Sequence, residues 1–300
     1  MTVREEIEQL KKEKGAVILA HYYVRPEVQE IADYTGDSFY LSRKAVGLKE
    51  QTIVFCGVSF MGESTKVLNP DKTVLMPDVS ADCAMAHMAD PETIQKMRAE
   101  YDDLAVVCYI NSTAELKCCS DVCVTSSNAV QIVRALPNRN IFFIPDRNLG
   151  RYVAQMVPEK QVIVNDGYCP VHEKMSAEEI LDQKKLHPQA LVLAHPECPE
   201  TVCGISDYIG STAGIIRYVQ ESSKEEFIVC TESGIQYELK KRCQDKKFYF
   251  ARTEPLCMDM KTITPEKILH VLKTGENEIL LGDSVREKAA GPLERMLELA

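Results

Sequence analysis

The sequence predicts an α/β protein made of three similar αβα sandwich domains, with parallel sheets set around a pseudo-threefold axis. Two observations predict it. The chain repeats itself three times at fixed spacing, and each copy alternates short β-rich runs with helical stretches. Such alternation implies parallel strands joined by right-handed crossovers and covered on both faces.

The first copy runs from Ala16-Val-Ile-Leu-Ala to His21, through Ile31-Ala-Asp-Tyr-Thr-Gly-Asp-Ser38 and Ile53-Val-Phe-Cys-Gly57, then Lys72-Thr-Val-Leu-Met76 to Cys83. The second runs from Ala105-Val-Val-Cys-Tyr-Ile-Asn111 through Ser120-Asp-Val-Cys-Val-Thr-Ser126 and Ile141-Phe-Phe-Ile144, then Lys160-Gln-Val-Ile-Val164 to Cys169. The third runs from Leu191-Val-Leu-Ala-His195 through Ser206-Asp-Tyr-Ile-Gly-Ser-Thr212 and Phe227-Ile-Val-Cys230, then Lys247-Phe-Tyr-Phe250 to Cys257. From His21 to Ser38, Tyr109 to Ser126 and His195 to Thr212 the step is 17 residues each time. From those hydroxyls to the cysteines it is 45, 43 and 45. Helical stretches such as Pro26 to Asp33, Thr113 to Cys119 and Ile235 to Arg242 lie between the strand-like runs.

The expected divisions are residues 1–85, 86–172 and 173–264, with helices in 265–300 packing on the core. Thr264-Pro265 is a helix start, and Ala289 to Leu299 a short amphipathic closing helix.

Composition excludes several classes. With 45% hydrophobic residues in 300 the chain can bury a sizeable core. A formal charge of -10 and no strong basic patch argue against nucleic acid and anionic membranes as partners. The longest apolar runs are far shorter than a membrane span, so a soluble, cytoplasmic protein is expected. Twelve cysteines in a chain of this size favour reduced thiols or metal ligation over a disulfide scaffold. No C-x-x-C occurs, so any cluster must gather its ligands from distant segments.

Ligands in open α/β sheets bind beyond the carboxyl ends of the strands, which is where His21, Tyr109, Asn111, His195 and Glu197 fall. Cys83, Cys169 and Cys257 each follow a strand within loop-forming residues and read as ligands of a four-iron, four-sulfur cluster with one open iron. Cys56, Cys108 and Cys230 lie inside strands and Cys243 near a helix end, which suits packing. Cys118, Cys119, Cys123, Cys198 and Cys203 are read as packing residues, with a second redox or metal site as the alternative.

Ser38, Ser126 and Thr212, each close to a helix start, either bind oxyanions or cap helices; Asn128 and Ser211 assist them or only cap. His21 and His195 can exchange protons, Glu197 can act as a base, and Tyr23 and Tyr109 as donors or acids. His172 reads as a neighbour of the cluster or a substrate contact, His87 and His187 as surface or packing residues.

The strings Ile18-Leu-Ala-His21, Gly36-Asp-Ser38, Tyr109-Ile-Asn-Ser-Thr113, Thr125-Ser126, Pro145-Asp-Arg-Asn-Leu149, Cys169-Pro-Val-His172, His195-Pro-Glu-Cys198 and Gly210-Ser-Thr212 together resemble quinolinate synthases over nearly the whole chain. The resemblance implies an enzyme of NAD biosynthesis that condenses iminosuccinate (iminoaspartate) with dihydroxyacetone phosphate to give quinolinate, phosphate and water. It also implies a 4Fe-4S cluster on Cys83, Cys169 and Cys257, and a functional link to the enzyme that makes iminosuccinate. Catalytic roles would fall to His21, Tyr23, Tyr109, His195 and Glu197. Substrate would be held by His21, Ser38, Tyr109, Ile110, Asn111, Ser126, His172, His195, Pro196, Glu197, Ser211 and Thr212. Tyr22, where the family pattern has Asn, and the cysteines at 118 to 123 depart from it. An open-iron hydratase acting on a dicarboxylate, or an iron–sulfur sensor, would share the cysteines, but a hydratase should ignore dihydroxyacetone phosphate and a sensor leaves the recurring polar strand ends unexplained.

Overall fold

The computed structural model describes residues 2–300. Twelve strands form three four-stranded sheets, all pairings parallel. The first holds β1 (Ala16–His21), β2 (Tyr34–Gly36), β3 (Thr52–Cys56) and β4 (Thr73–Leu75) in the order β2-β1-β3-β4. The second, β6-β5-β7-β8, uses β5 (Leu104–Tyr109), β6 (Val122–Val124), β7 (Asn140–Ile144) and β8 (Gln161–Val164). The third, β10-β9-β11-β12, uses β9 (Leu191–Ala194), β10 (Tyr208–Ile209), β11 (Glu226–Cys230) and β12 (Lys247–Tyr249). Their central registers match, Ala20 opposite Cys56, Cys108 opposite Ile144 and Ala194 opposite Cys230.

Central strands are buried along their length because helices cover both faces; β1 and β5 are buried at every residue. In the third sheet the two faces are separable. Leu193, Phe227 and Val229 pack with Ile215 and Leu239 on one side, and Val192, Ala194 and Ile228 with Ile180 and Val202 on the other. The first two units instead share one continuous core with the terminal helices.

Two polar devices recur in all three units at the repeat spacing. Asp33, Asp121 and Asp207 each accept a hydrogen bond from the first strand, from the N–H of Ile18 (2.8 Å), Val106 (2.6 Å) and Val192 (2.8 Å). Each returns its own N–H to the carbonyl of the same strand residue. The aspartate thus closes a ring that fixes where the edge strand begins. Lys72, Lys160 and Lys246 reach back to carbonyls just past the helix that follows the second strand of each unit, Leu48, Asn138 and Ser222, at 2.6, 2.7 and 2.6 Å. A cation there satisfies carbonyls left open at a helix C-terminus.

The closing helix is longer than expected, Asp283–Leu299 instead of starting at Ala289. Pro292 sits inside it, and that residue and Leu293 are buried. The helix runs over Ala114–Cys118, Val122–Val124 and Ser59–Leu68, so it bridges the first and second units. The Cys118 thiol, which donates to the carbonyl of Val285 at 3.3 Å, is accounted for by that packing. The helix Pro265–Thr274 lies on Val3–Lys14, which carries a Thr2/Glu5 capping box.

Asp121→Ala should leave the Val106 N–H without its acceptor and remove the contact to Arg98, lowering unfolding free energy by about 1–3 kcal/mol in urea titrations. A variant of unchanged stability would show that the ring is decorative.

A candidate active site where the three units meet

One cavity of about 130 Å³ is lined by residues from all three units. It gathers His21, Tyr23, Ser38, Tyr109, Asn111, Ser126, Cys83, Cys169, His172, His195, Glu197, Thr212 and Cys257. Ile110 and Pro196 do not line it, and Ile110 is buried in the core. Ser211 also stays outside the lining; its hydroxyl caps the next helix by accepting from the Gly214 N–H at 3.1 Å. Asn128 does not cap with its side chain, and its Oδ1 accepts from the Thr125 N–H at 2.7 Å instead.

The cysteine segments are built alike. The N–H groups of Ser59, Arg147 and Ser233, just after the third strand of each unit, donate to the carbonyls of Ala81, Gly167 and Pro255 at 2.9, 2.8 and 2.8 Å. Each of those carbonyls lies two residues before the cysteine, so the loop is sewn to the sheet at the same stitch. A carboxylate then takes the cysteine's own N–H: Asp82 for Cys83 (2.8 Å), Asp146 for Cys169 (3.1 Å) and Glu232 for Cys257 (3.1 Å). Asp146 and Glu232 occupy equivalent positions two residues beyond the paired Ile144 and Cys230. The first unit has Val58 there, and its carboxylate comes from Asp82.

Burial pushes the thiols up, to about 12 for Cys83, about 11 for Cys257 and well above the ordinary range for Cys169. The backbone N–H three residues on, of Ala86, His172 and Met260, pulls each one down again. Those amides face the sulfurs and suit an anionic occupant. The cysteine sulfurs are also too far apart to share one ion, since the one group of three donors within 4.8 Å of one another among the described residues is Cys169, His172 and Glu197. Thiols that converge on one cavity without touching fit a polynuclear group.

The same cavity holds a network of imidazoles, phenols and hydroxyls. The Nδ1 of His21 accepts from the Tyr23 N–H at 3.2 Å, and the Nδ1 of His195 from the Glu197 N–H at 3.3 Å, the same turn in two units. That places the ring proton on Nε2 of each neutral imidazole. The His195 Nε2 then lies 3.1 Å from Ser126 Oγ. Tyr23 Oη is 2.7 Å from Thr212 Oγ1 and 2.8 Å from Thr231 Oγ1, and Thr231 in turn is 2.9 Å from His172 Nε2. Tyr22, by contrast, turns away and packs into the core of the third unit.

Burial pushes His21 down to about 3 and His195 to about 4, in spite of the Glu197 charge, so both are neutral at neutral pH. Burial would raise Glu197, but the His172 and His195 imidazoles beside it hold its carboxyl down at about 2. Burial, with the Glu197 charge, raises Tyr23 and Tyr109 well above the ordinary phenol value. The phenols therefore donate protons and do not act as bases.

Several lining residues escaped the sequence reading. Asp37 caps Tyr40 N at 2.9 Å and accepts from Ser127 Oγ at 2.9 Å, tying the first unit to the second. Asp37 and Ser211, one residue before Ser38 and Thr212, do the capping, which leaves Ser38 and Thr212 facing the cavity. Glu232, paired with Lys261 at 2.8 Å, and the apolar Phe60 and Met61 carry no motif. The one available signal was the 86-residue interval between Asp146 and Glu232.

Imidazoles held neutral when folded but free to protonate when unfolded make stability depend on pH. The unfolded chain binds more protons below about 6.5, so this contribution is full above that pH and is lost as pH falls toward the folded values. Lowering the pH from 7 to 5 should cost the protein on the order of 2 kcal/mol per buried imidazole. His195→Gln should flatten that slope; denaturation curves that keep it would assign the dependence to other groups.

Comparison with known proteins identifies a family. The family model described as NadA, quinolinate synthetase A protein, matches residues 5–298. A quinolinate synthase of Fusobacterium nucleatum subsp. nucleatum is 53% identical over 298 residues, covering 99% of either chain. One from Clostridioides difficile is 50% identical over 98% of this chain and 97% of its own, and one from Clostridium perfringens 48% over 100% and 99%. With three matched sheets, one shared cavity and this likeness along its length, the chain belongs to the quinolinate synthase family.

Proposed function

We propose that this chain is a condensing, transferase-type quinolinate synthase that joins iminosuccinate to dihydroxyacetone phosphate and releases phosphate and water. The observation that carries this reading is the convergence, on one cavity, of three equivalent cysteine loops and a buried network of imidazoles, phenols and hydroxyls. Cys83, Cys169 and Cys257 would hold a 4Fe-4S cluster, with the amides of Ala86, His172 and Met260 compensating its charge. When bound through three thiolates such a cluster supplies a Lewis-acidic iron that polarises an oxygen and assists its loss as water.

The protein's own groups do the rest. Ser38, Ser126 and Thr212, one from each unit and each near a helix start, hold the anionic groups of the substrates. Asn111 has a buried Oδ1 with no partner in the protein, which suits an N–H or O–H of a bound molecule. The anionic Glu197 takes a proton from substrate, and the neutral His195, whose Nδ1 lies 3.4 Å from that carboxylate and accepts the Glu197 N–H, donates from Nε2. His21 donates from Nε2, His172 orients Glu197 at 2.9 Å, and Tyr23 and Tyr109 return protons to departing oxygens. An imine hydrolyses readily in water, which favours a functional link with the enzyme that makes iminosuccinate, in the cytoplasm. Among the described residues no helix is long and apolar enough to cross a membrane.

Replacing Cys83, Cys169 or Cys257 singly by Ser should abolish retention of iron and sulfide in anaerobic preparations, while Cys56→Ser and Cys243→Ser keep both. A variant of the first set with a full cluster removes that cysteine from the ligand set.

Ser38→Ala, Ser126→Ala and Thr212→Ala should each cost about 1.5–3 kcal/mol in kcat/KM without unfolding the protein. Glu197→Gln should retain the cluster yet slow turnover by two or more orders of magnitude. Quinolinate formation from the two substrates at the unmodified rate in these variants would refute the assigned roles.

A further inference from the structure

One group of donor atoms in the lining of the cavity is spaced to hold a single metal ion. Cys169 Sγ, His172 Nδ1 and a carboxylate oxygen of Glu197 lie within 4.8 Å of one another. His172 Nδ1 is 3.1 Å from the sulfur and 2.9 Å from Glu197 Oε2. The other ring nitrogen, Nε2, lies 2.9 Å from Thr231 Oγ1. When Nε2 donates there, Nδ1 presents a lone pair to the carboxylate and the thiol, and the S–H proton is all that separates three electron-rich atoms. This is the donor set and the outer hydrogen bond that a borderline-soft divalent ion takes: thiolate, imidazole and carboxylate, with the imidazole steered by a partner on its far nitrogen.

A second observation points the same way. Glu197 is 3% exposed, yet its Oε1 has no hydrogen-bond partner although the residue lines the cavity. A buried carboxylate oxygen left without a donor is costly, and a cation relieves that cost. No third donor joins Cys83 or Cys257 in a comparably tight group among the described residues.

We propose that Cys169, His172 and Glu197 form a site for a single divalent ion of the zinc class in the protein that lacks its cluster, and that ion and cluster exclude each other because both need Cys169. Binding exchanges the S–H bond of Cys169 for a metal–sulfur bond and releases one proton to solvent, with no change of oxidation state. Three protein donors leave a fourth position for water from the cavity. The site itself stands on the geometry alone; the mutual exclusion rests on the proposed cluster.

The test adds zinc chloride to anaerobically prepared, cluster-free protein and reads metal content and zinc X-ray absorption. One zinc per chain with a single sulfur among its neighbours is expected. Cys83→Ser and Cys257→Ser should bind it as the unmodified protein does, whereas His172→Ala and Glu197→Gln should bind at least tenfold more weakly. Three sulfur neighbours, or loss of zinc in Cys83→Ser with full retention in Glu197→Gln, overturns the site; the absorption result needs no variant to fold. Zinc-loaded protein given iron and sulfide should develop no cluster absorption until the zinc is chelated. Cluster growth with zinc retained overturns the exclusion, while failure of zinc-free protein to build any cluster counts against the cluster reading and not against the zinc site.

Discussion

A single backbone hydrogen bond, made three times, governs how this molecule builds a site. The amide just beyond the third strand of each unit donates to a carbonyl two residues ahead of a cysteine, at Ser59 and Ala81, Arg147 and Gly167, and Ser233 and Pro255. Parallel sheets deliver strand ends to one edge, but the loop that follows the last strand is free to go elsewhere. This bond returns it to the sheet. The carboxylates on the cysteine amides then set the residue itself, so a reactive side chain on a loop inherits the rigidity of a strand.

Much of this was legible in the chain because the repeat is written in spacing. The intervals of 17 residues from strand end to hydroxyl carried the three-unit architecture and six residues of the cavity lining. The structure adds two series that recur once per unit, Asp33, Asp121, Asp207 and Lys72, Lys160, Lys246. Those charged residues resemble ordinary surface charges until their backbone partners are seen, and the partners are set by tertiary folding. The short edge strands β2, β6 and β10 escaped for a related reason. Two or three residues carry no period, and the aspartate ring, more than propensity, holds them in register.

Where spacing left two roles open, side-chain direction decided the matter. Ser38 and Ser211 both sit at helix starts, yet Asp37 and Ser211 do the capping and Ser38 faces the cavity. A shift of one residue changes a helix cap into a cavity hydroxyl. The closing helix, expected from Ala289, begins six residues earlier at Asp283, and burial of Pro292 and Leu293 against two units outweighs the hydrogen bond that Pro292 cannot make.

The departures from threefold likeness have their own consequence. A socket with three identical walls would accept a ligand in three orientations of equal energy, and at most one of them could present the reacting atoms correctly. Here the strand ends read His21, Tyr109 and His195, and the position behind each cysteine loop reads Val58, Asp146 and Glu232. Repetition supplies the socket, and these few unlike residues give it a compass, lifting the degeneracy so that a small, nearly featureless guest has one way to face.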